Sequence, residues 1–506
     1  MDRSIAKNTA DLARGAGSSY LGFLARLMLR APFLFLAGWL YGSSKFGLYT
    51  LAVTIAETLA VLATFGLKNS IYKFLDDAES NNGNQDLHPT LAHVFALSLT
   101  LAVLLALILA GTGLVFVALN LFVEWADALM VISPVIFFIV LTDIALVAIR
   151  HRRIVRYEIL ARSIVEPIVM TTLVAVTYFL GWRSHGLILA YVFSLIAASV
   201  AAVIFFSRLY DLSHCLKAPL SWDRLSRIVR FTAPTALFQL LRFVAARVDI
   251  LMVSWFFSPA IVGIYGMAWQ FSTVFKKIRS GFDTLLGPVI SQEVTRKNFG
   301  RVNDHLATVA RWVLSIQMPL ILIVVFFGGQ LLGLVGMEFQ QGATILFLLV
   351  LTDVINGSLS VHEWPLVFLK PILNPLLLGM MMILNVFLGI LAIHWFGPAG
   401  IAAAGVVTYL IMNGARVGLN VRFFKLLGLR WDILKPLLAS LITALILSFV
   451  QSWFRMGSWH RIGFMITLML IIYFLTLMLL GVNSEDRLII AHIRNRLQKQ
   501  TAKSLY

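Results

Sequence analysis

Two arginines lie inside an apolar stretch that is long enough to cross a lipid bilayer. Residues 18–41 read SSYLGFLARLMLRAPFLFLAGWLY and contain Arg26 and Arg30, which lie one turn apart on a helix. A helix needs roughly 20 residues to cross the ~30 Å hydrocarbon core, which puts Arg26 near mid-depth. A guanidinium that faces lipid there costs at least ~2.5–3.5 kcal/mol. The sequence therefore predicts that this helix face lines a cavity or contacts an anion.

The arrangement recurs in the second half of the chain. A shift of 216 positions superposes four identical pairs, namely Arg26 with Arg242, Trp39 with Trp255, Gly47 with Gly263 and Tyr49 with Tyr265. Guanidiniums that line a cavity can bind a diphosphate through paired charge-assisted hydrogen bonds, so Arg26, Arg30 and Arg242 are candidate substrate ligands. The alternative is a structural ion pair, for which Glu57 lies at nearly the same depth as Arg26.

A second group of cations lies in the part of the eighth predicted span nearest to the cytoplasm. Lys276 and Arg279 are one turn apart and are further candidate substrate ligands. Two simpler interpretations remain open, which are anchoring at the inner membrane face and an i,i+4 ion pair between Arg279 and Asp283. In the preceding span, Arg247 is expected to extend outward to the membrane interface, as long basic side chains near helix ends do.

Three intramembrane carboxylates are candidates for coupling transport to proton or sodium movement. Glu57 lies about mid-span, and Asp143 and Asp353 occupy matching LTD triplets in the fourth and tenth spans. Charged residues inside the membrane commonly mark ion or substrate pathways. For Asp143 and Asp353 the alternative, which the sequence favours, is a hydrogen-bonded helix contact through the neighbouring Thr142 or Thr352.

Composition indicates an integral membrane protein. Of the 506 residues, 59% are hydrophobic and only 13% are charged, and apolar runs of helical length recur. Cys215 is the only cysteine, which excludes disulfides and thiolate metal sites within the chain. No enzyme motif and no histidine pair at metal-ligand spacing occurs, so we expect neither an enzyme nor a metal or other cofactor site.

The pattern predicts an all-α, polytopic protein with about 14 spans. They cover residues 18–40, 47–70, 91–117, 128–149, 163–180, 186–207, 231–256, 262–284, 306–335, 342–361, 372–395, 400–423, 434–453 and 461–481. Most of the 41 lysines and arginines fall on one side, which the positive-inside rule assigns to the cytoplasm together with both termini. The net charge of +17 is explained by this topology and by contact with anionic lipids, so no nucleic-acid partner is needed.

The repeat divides the chain into two lobes related by a pseudo-twofold axis along the membrane normal. The predicted regions are a cytoplasmic lead (1–17), an N-lobe of six spans (18–207), a cytoplasmic linker (208–230), a C-lobe of six spans (231–425), two accessory spans (434–481) and a basic cytoplasmic tail (482–506).

These features resemble the polysaccharide transporter branch of the multidrug/oligosaccharidyl-lipid/polysaccharide exporter superfamily. The resemblance rests on the first-helix arginine, the six-plus-six arrangement, the appended helix pair and the segments FGLYTLAVTIAETLAVLATFGLKNSIYKFL and VGIYGMAWQFSTVFKKIRSGFDTLLGPVISQEV. It implies two lobes around a cavity that opens alternately to either side. It also implies that the last two helices help to hold a lipid tail, as in the related lipid II flippase.

The resemblance implies a flippase that moves a polyprenyl-diphosphate-linked oligosaccharide, an O-antigen or exopolysaccharide repeat unit, from the cytoplasmic to the periplasmic leaflet. Its expected partners are this substrate, membrane lipids and, as candidates, a polysaccharide polymerase and chain-length machinery. We expect a monomer in the bacterial inner membrane. The alternatives are a drug/cation antiporter of the same superfamily and a lipid II-type peptidoglycan precursor flippase.

Overall fold

The computed structural model describes residues 2–82, 84–453 and 459–481, and these residues form helices and no β-strand. The α-helices, labelled α1 to α19 in chain order, are Asp2–Ala63, Leu67–Asn82, Asn84–Ala118, Val123–Ile132, Val135–His151, Arg156–Glu158, Glu166–Phe179, Gly186–Ser207, Leu212–Lys217, Trp222–Ala245, Val248–Phe256, Pro259–Thr295, Phe299–Gly333, Ala343–Leu359, Glu363–Leu369, Leu373–Phe396, Pro398–Phe424, Leu434–Trp453 and Trp459–Leu479. Residues Ile159–Val165 form a π-helix, and short 3₁₀ segments cover Met337–Gly342, Ser360–His362 and Trp431–Ile433.

The predicted all-α, polytopic architecture is confirmed, and the span count of 14 is approximate. Twelve helices among the described residues are long and apolar enough to cross a membrane. Two differences explain the lower number. The first two predicted spans merge into one stretch, Met28–Ser80, and the helix Pro259–Thr295 is not among the twelve because polar residues, including Lys276 and Lys277, lower its hydropathy.

The chain divides into two compact units. Unit 1 contains the residues up to Phe271 together with Gly329–Leu349 and Ile372–Thr408, whereas unit 2 contains Ser272–Gly328, Val350–Pro371 and the residues from Tyr409 onward. The long helices α12, α13, α14 and α17 each contribute to both units. The division into lobes that the repeat predicts stays a prediction, and the predicted basic tail lies outside the described residues.

Within unit 1, the duplicated glycines pack against each other. A Cβ on Gly47 would lie 1.8 Å from the carbonyl oxygen of Pro259, and a Cβ on Gly263 would lie 1.9 Å from the carbonyl oxygen of Ser43. Ser43 and Pro259 are also 216 positions apart, so the contact is reciprocal, as a twofold relation requires. Only glycine permits α1 and α12 to approach so closely.

The long helix α1 is broken at Gly42. This residue has φ 73° and ψ 179°, a backbone conformation that glycine adopts without strain. The backbone N–H of Ser43 donates to Glu338 Oε1 at 2.6 Å, and the Ser43 hydroxyl donates to Glu338 Oε2 at 2.8 Å. The side chain of Glu338 therefore caps the part of α1 that follows the break, and this part carries Glu57.

A second break separates α10 from α11. Helix α10 ends at Ala245, and Arg247 precedes α11 with φ −136° and ψ 6°, outside the helical region. The apolar pattern predicts one continuous span over 231–256, and the structure differs from that prediction here. The change in backbone direction turns Arg247 to a different side from Arg242, which lies in the last turn of α10.

Unit 2 has its own apolar core, where Leu286, Ile290, Val302, Leu306 and other buried side chains meet. His362 is buried beside this core, within hydrogen-bonding distance of the carbonyl oxygens of Leu359 and Leu427. The last described helix, α19, is fixed to α13 by the hydroxyl of Tyr473, which donates to the carbonyl oxygen of Ser315 at 3.0 Å. Polar contacts thus supplement apolar packing in this unit.

Candidate functional site

A cavity of about 790 Å³ within unit 1 is lined by nine charged side chains, and we call it the charged cavity. Its cations are Arg30, Lys68, Arg150, Arg162 and Arg247, and its carboxylates are Glu57, Asp143, Glu158 and Glu166. Apolar residues and Tyr191 form most of the rest of its wall. A cavity of this size is large enough for a substantial polar head group.

Glu57 and Arg247, which both line the charged cavity, form an ion pair. Arg247 Nη2 lies 2.6 Å from Glu57 Oε2, and the hydroxyl of Tyr191 donates to Glu57 Oε1 at 3.1 Å. The guanidinium of Arg247 also lies over the rings of Phe243, at 4.5 Å, and Trp269, at 5.3 Å. The prediction that Arg247 extends outward to the interface is therefore wrong, because the break after α10 directs the side chain into the cavity.

Asp143 links two cations from different elements. Its Oδ1 accepts from Arg162 Nη2 at 2.6 Å, and its Oδ2 forms an ion pair with Lys68 Nζ. Arg162 also donates through Nη1 to Glu166 Oε2 at 3.1 Å. Thr142, the neighbour that was the alternative partner, instead contacts Ser199 at 2.8 Å. The carboxylate of Asp143 is thus fully engaged with cavity cations.

One end of the charged cavity is more exposed than the other. Arg150 and Glu158 pair with each other there, with side chains 42% and 32% exposed, whereas Arg162 and Asp143 are 16% and 14% exposed. The topology that we predict from the distribution of lysine and arginine puts this end nearest to the cytoplasm. A ligand entering from that side meets Arg150 before it reaches the buried charges.

Arg30 differs from the other cavity cations. It forms no ion pair with any residue that the structure describes, and its Nε, although buried, has no hydrogen-bond partner there. The carboxylates of Glu57 and Glu166 still act on it electrostatically. A buried polar group without a partner is costly, so a ligand that brings a hydrogen-bond acceptor to this Nε would relieve that cost.

The charges of the cavity favour an anion. Its five cations outnumber its four carboxylates, and all four carboxylates are in contact with cations. A cationic ligand would have to compete with arginines for each carboxylate. An anion such as a phosphate can bind Arg30 directly and can share the remaining guanidiniums with their carboxylates.

Arg242 is not among the residues that line this cavity. Arg26 belongs to α1, but its side chain lies outside the described residues. Arg242 lies in the last turn of α10 with an exposed side chain. Of the predicted set, the structure therefore brings Arg30 and the candidate coupling residues Glu57 and Asp143 together in one cavity.

Lys276, Arg279 and Asp353 all lie in unit 2. Lys276 Nζ is 3.8 Å from Asp353 Oδ1, and Asp353 is buried. Arg279 pairs with Asp283 at 3.2 Å, as the i,i+4 spacing predicted, and with Glu363 at 3.6 Å. These contacts agree with the structural interpretation of Arg279, and a role in substrate binding stays a prediction.

Sequence reasoning missed Arg162 and Lys68 as cavity residues. Lys68 lies at the end of the predicted span 47–70 and Arg162 just before the span 163–180, so the positive-inside rule is enough to explain both from sequence. The π-helix Ile159–Val165 widens the backbone around Arg162, a feature often found at functional sites. A signal was available, since Arg162 and Glu166 have i,i+4 spacing and Pro167 follows at the start of α7.

No group of three or more His, Cys, Asp or Glu side chains that could hold a metal ion occurs among the described residues. The charged cavity presents guanidinium and ammonium groups together with carboxylates that are paired to them.

A family model described as "Polysaccharide biosynthesis protein" matches residues 39–338, which is more than half of the chain. The matched range includes every charged side chain of the cavity except Arg30. No curated protein sequence matches the chain significantly.

Several solved transporters share the fold. The structure titled "Lipid II flippase MurJ, inward closed conformation" has a TM-score of 0.73 and 18% identity, covering 90% of this chain and 98% of its own. An inward-facing multidrug resistance MATE family transporter of the MOP superfamily has a TM-score of 0.61 and 16% identity, and the match covers 79% of this chain and 99% of the transporter. The MATE multidrug transporter DinF-BH, solved in complex with a ligand, has a TM-score of 0.58 and 17% identity, and the match covers 83% of this chain and 97% of DinF-BH.

Proposed function

The chain belongs to the polysaccharide biosynthesis protein family, and we propose that it flips a polyprenyl-diphosphate-linked oligosaccharide from the cytoplasmic to the periplasmic leaflet. The family and the multi-pass fold agree with the resemblance drawn from the sequence. The proposal adds the substrate class, an O-antigen or exopolysaccharide repeat unit on its lipid carrier, and the direction of movement.

The observation that supports this proposal most is the charged cavity, which Arg30 lines. A diphosphate carries several acceptor oxygens, and the guanidinium of Arg30 has a buried N–H without a partner among the described residues. Arg162 and Arg247 lie in the same cavity and each already contacts a carboxylate. An incoming diphosphate can therefore bind Arg30 first and then compete with Glu57 and Asp143 for the other guanidiniums.

The proposed cycle uses alternating access. The head group enters at the end marked by Arg150 and Glu158 while the polyprenyl tail remains in lipid. Closing of this end and opening of the opposite one releases the head group to the periplasm. An interior-negative potential favours outward movement of an anionic head by ~2.3 kcal/mol per charge per 100 mV, which supplies a direction without ATP.

Glu57, Asp143 and Asp353 remain candidates for proton or sodium coupling. When a phosphate binds Arg247, Glu57 loses its cation partner and becomes more costly to keep ionised in a buried site. Uptake of a proton or a sodium ion at that moment would offset the cost. Asp143 keeps Lys68 as a partner when a phosphate binds Arg162, so the same cost is smaller there.

Two other functions are compatible with the fold. A drug/cation antiporter requires carboxylates that are available to a cation, and in the charged cavity each carboxylate is in contact with a cation. A lipid II-type flippase requires the same diphosphate chemistry, and the similarity to the lipid II flippase supports keeping it as the alternative. We favour the oligosaccharide substrate because the family model concerns polysaccharide biosynthesis.

The proposal carries further expectations. The protein transports rather than catalyses, works as a monomer in the bacterial inner membrane with both termini in the cytoplasm, and needs no cofactor. Candidate partners are a polysaccharide polymerase and chain-length machinery, which would take up the translocated unit. Arg26, Arg242, Lys276 and Arg279 remain candidate ligands.

A flipping assay in proteoliposomes tests the proposal. Undecaprenyl-diphosphate-linked oligosaccharide is reconstituted with the protein, and its appearance in the opposite leaflet is followed with a glycosidase or lectin that cannot cross the membrane. We expect transport by the wild type and a rate lower by about tenfold or more for Arg30→Gln, as loss of a charge-assisted contact to phosphate implies. Arg230→Gln is the matched control, because Arg230 is an exposed cation outside the cavity. Equal rates for wild type and protein-free vesicles would reject the proposal.

A further inference from the structure

A second cavity of about 450 Å³ lies in unit 1, apart from the charged cavity. It is formed where the end of α2, the start of α3 and the first turns of α10 meet. None of its lining residues also lines the charged cavity. The second cavity is therefore a separate place where a ligand could bind.

The second cavity has a surplus of positive charge. Lys73, Arg224 and Arg227 line it, and Asp77 is its carboxylate. Lys73 and Arg227 are exposed, so their cationic groups are accessible to a ligand. The charges favour an anion, and the three cations together suit a phosphate.

An aromatic wall stands beside these cations. Lys73 Nζ lies 4.3 Å from the centre of the Phe231 ring, and Phe231 packs edge-on against Phe74 with ring centres 5.3 Å apart. Phe231 is 43% exposed. A ligand in this cavity therefore meets positive charge and apolar surface together, which a small inorganic anion does not require.

His93 positions the cavity wall and does not add charge. It is buried, with Nδ1 2.6 Å from the carbonyl oxygen of Pro89, while its Nε2 accepts from the backbone N–H of Ser221 at 2.8 Å. This pair of contacts requires a neutral ring with the proton on Nδ1. The imidazole thus holds the residue before α10 against α3 and fixes the spacing of the cations on the two sides of the cavity.

The second cavity lies at the ends of three candidate spans, Met28–Ser80, Leu87–Ala118 and Trp222–Ala245. Trp222, at the start of the last of these, is 78% exposed, and Leu220 just before it is 63% exposed. An exposed tryptophan at a span end is typical of the membrane–water interface. Our topology puts this end at the cytoplasmic leaflet, where anionic lipids attract basic residues.

We propose that the second cavity binds the phosphate of an anionic glycerophospholipid of the cytoplasmic leaflet, such as phosphatidylglycerol. The phosphate contacts Lys73 and Arg227, with Arg224 on the same wall, and the first carbons of the acyl chains pack on Phe231. This inference does not depend on the proposed transport activity, because it concerns different residues and a different ligand.

Lipid binding to the purified protein tests the inference. Delipidated protein in detergent is titrated with phosphatidylglycerol or phosphatidylcholine, and bound lipid is counted by native mass spectrometry. We expect a tight phosphatidylglycerol site that Lys73→Gln weakens about fivefold and that Lys73→Gln/Arg227→Gln weakens further, since each interfacial cation contributes an amount of this order. Phosphatidylcholine should bind no more tightly to the wild type than to the double variant.

Arg230→Gln is the matched control, because it removes an exposed cation from α10 outside the second cavity. Unchanged size-exclusion profiles show that the variants remain folded. Two results would overturn the proposal, namely equal phosphatidylglycerol binding by the wild type and the double variant, or the same loss with Arg230→Gln. Competition by millimolar inorganic phosphate or glycerol phosphate would identify a free phosphate as the occupant, which also contradicts a lipid site.

Discussion

Arg247 Nη2 lies 2.6 Å from Glu57 Oε2, so a guanidinium expected to extend outward is held inside the charged cavity by a carboxylate of α1. The pair joins the helix that carries Arg30 to the break between α10 and α11. Tyr191 donates to the same carboxylate. An anion that binds Arg247 must compete with Glu57 for the guanidinium, so the strength of this ion pair affects how tightly the anion can bind.

Breaking this pair from either side should destabilise the protein. Arg247→Gln leaves Glu57 in a cavity without its cation, and we expect a loss of about 1.5–3 kcal/mol in the free energy of unfolding. Glu57→Gln should cost less, because Arg247 still packs over Phe243 and Trp269. Thermal unfolding in detergent measures both.

The double variant Glu57→Gln/Arg247→Gln measures the coupling free energy between the two side chains, apart from what each contributes alone. Because it removes both charges, it should be more stable than the sum of the two single losses predicts. If the loss in the double variant equals the sum of the losses in the two single variants, the two residues are not coupled.

Arg162 should matter more to stability than Lys68, although both contact Asp143. Arg162 contacts Asp143 and Glu166 and is 16% exposed, whereas Lys68 contacts Asp143 and is 34% exposed. We expect Arg162→Met to lower the free energy of unfolding by about 3 kcal/mol, and Lys68→Met by about 1 kcal/mol or less. Chemical or thermal unfolding of the two variants gives the order, and the reverse order would contradict the described network.

The glycine contact between α1 and α12 should not tolerate a side chain. Gly47→Ala would put a Cβ 1.8 Å from the carbonyl oxygen of Pro259, so the helices must separate, and we expect a loss of about 3 kcal/mol or more. Gly111→Ala is the matched control, because no atom lies within 4 Å of a Cβ there. If folded yield and melting temperature fall equally in both variants, the close approach is not the cause.

Much of the fold follows from the sequence because membrane helices impose strong patterns. Apolar runs of helical length predict the spans, and the 216-residue offset predicts that Gly47 and Gly263 are equivalent; the structure adds that they touch. The presence of Arg30 in a cavity follows from the cost of exposing a guanidinium to lipid. The carboxylates Glu57 and Asp143 were also singled out, and both line the same cavity.

The orientation of other cavity residues could not be predicted, because it depends on local breaks in the helices. Arg247 faces inward because α10 ends at Ala245, a break that no proline or glycine marks in the sequence. Arg162 faces inward within the π-helix Ile159–Val165, whereas periodicity alone assumes regular α-helical turns. Arg242 is an example of a residue that the repeat singles out but that does not line the charged cavity. Its equivalence to Arg26 in the repeat does not determine the direction of its side chain, which is exposed.

Cys215 should react slowly with thiol reagents. Burial raises the pKa of its thiol to about 11, and the nearby carboxylate of Asp211 contributes in the same direction. Because the thiolate is the reactive form, only about one molecule in a thousand is reactive at pH ~8, and the fraction rises as the pH approaches the pKa. We expect maleimide labelling of the folded protein to be far slower than that of glutathione.

The rate of Cys215 labelling should recover when the protein is unfolded in denaturant, since Cys215 is the only cysteine in the chain. If the native protein is labelled near neutral pH as fast as glutathione, then the Cys215 thiol is accessible and its pKa is not raised.

We propose that the charged cavity binds an anionic diphosphate head, and equilibrium binding of undecaprenyl diphosphate to the purified protein is the sharpest test of this proposal. We expect saturable binding by the wild type, binding weaker by about tenfold or more in Arg30→Gln, little change in Arg230→Gln, and no displacement by the cationic dye ethidium. Equal affinities of wild type and Arg30→Gln for undecaprenyl diphosphate, or tighter binding of ethidium that excludes the diphosphate, would contradict it.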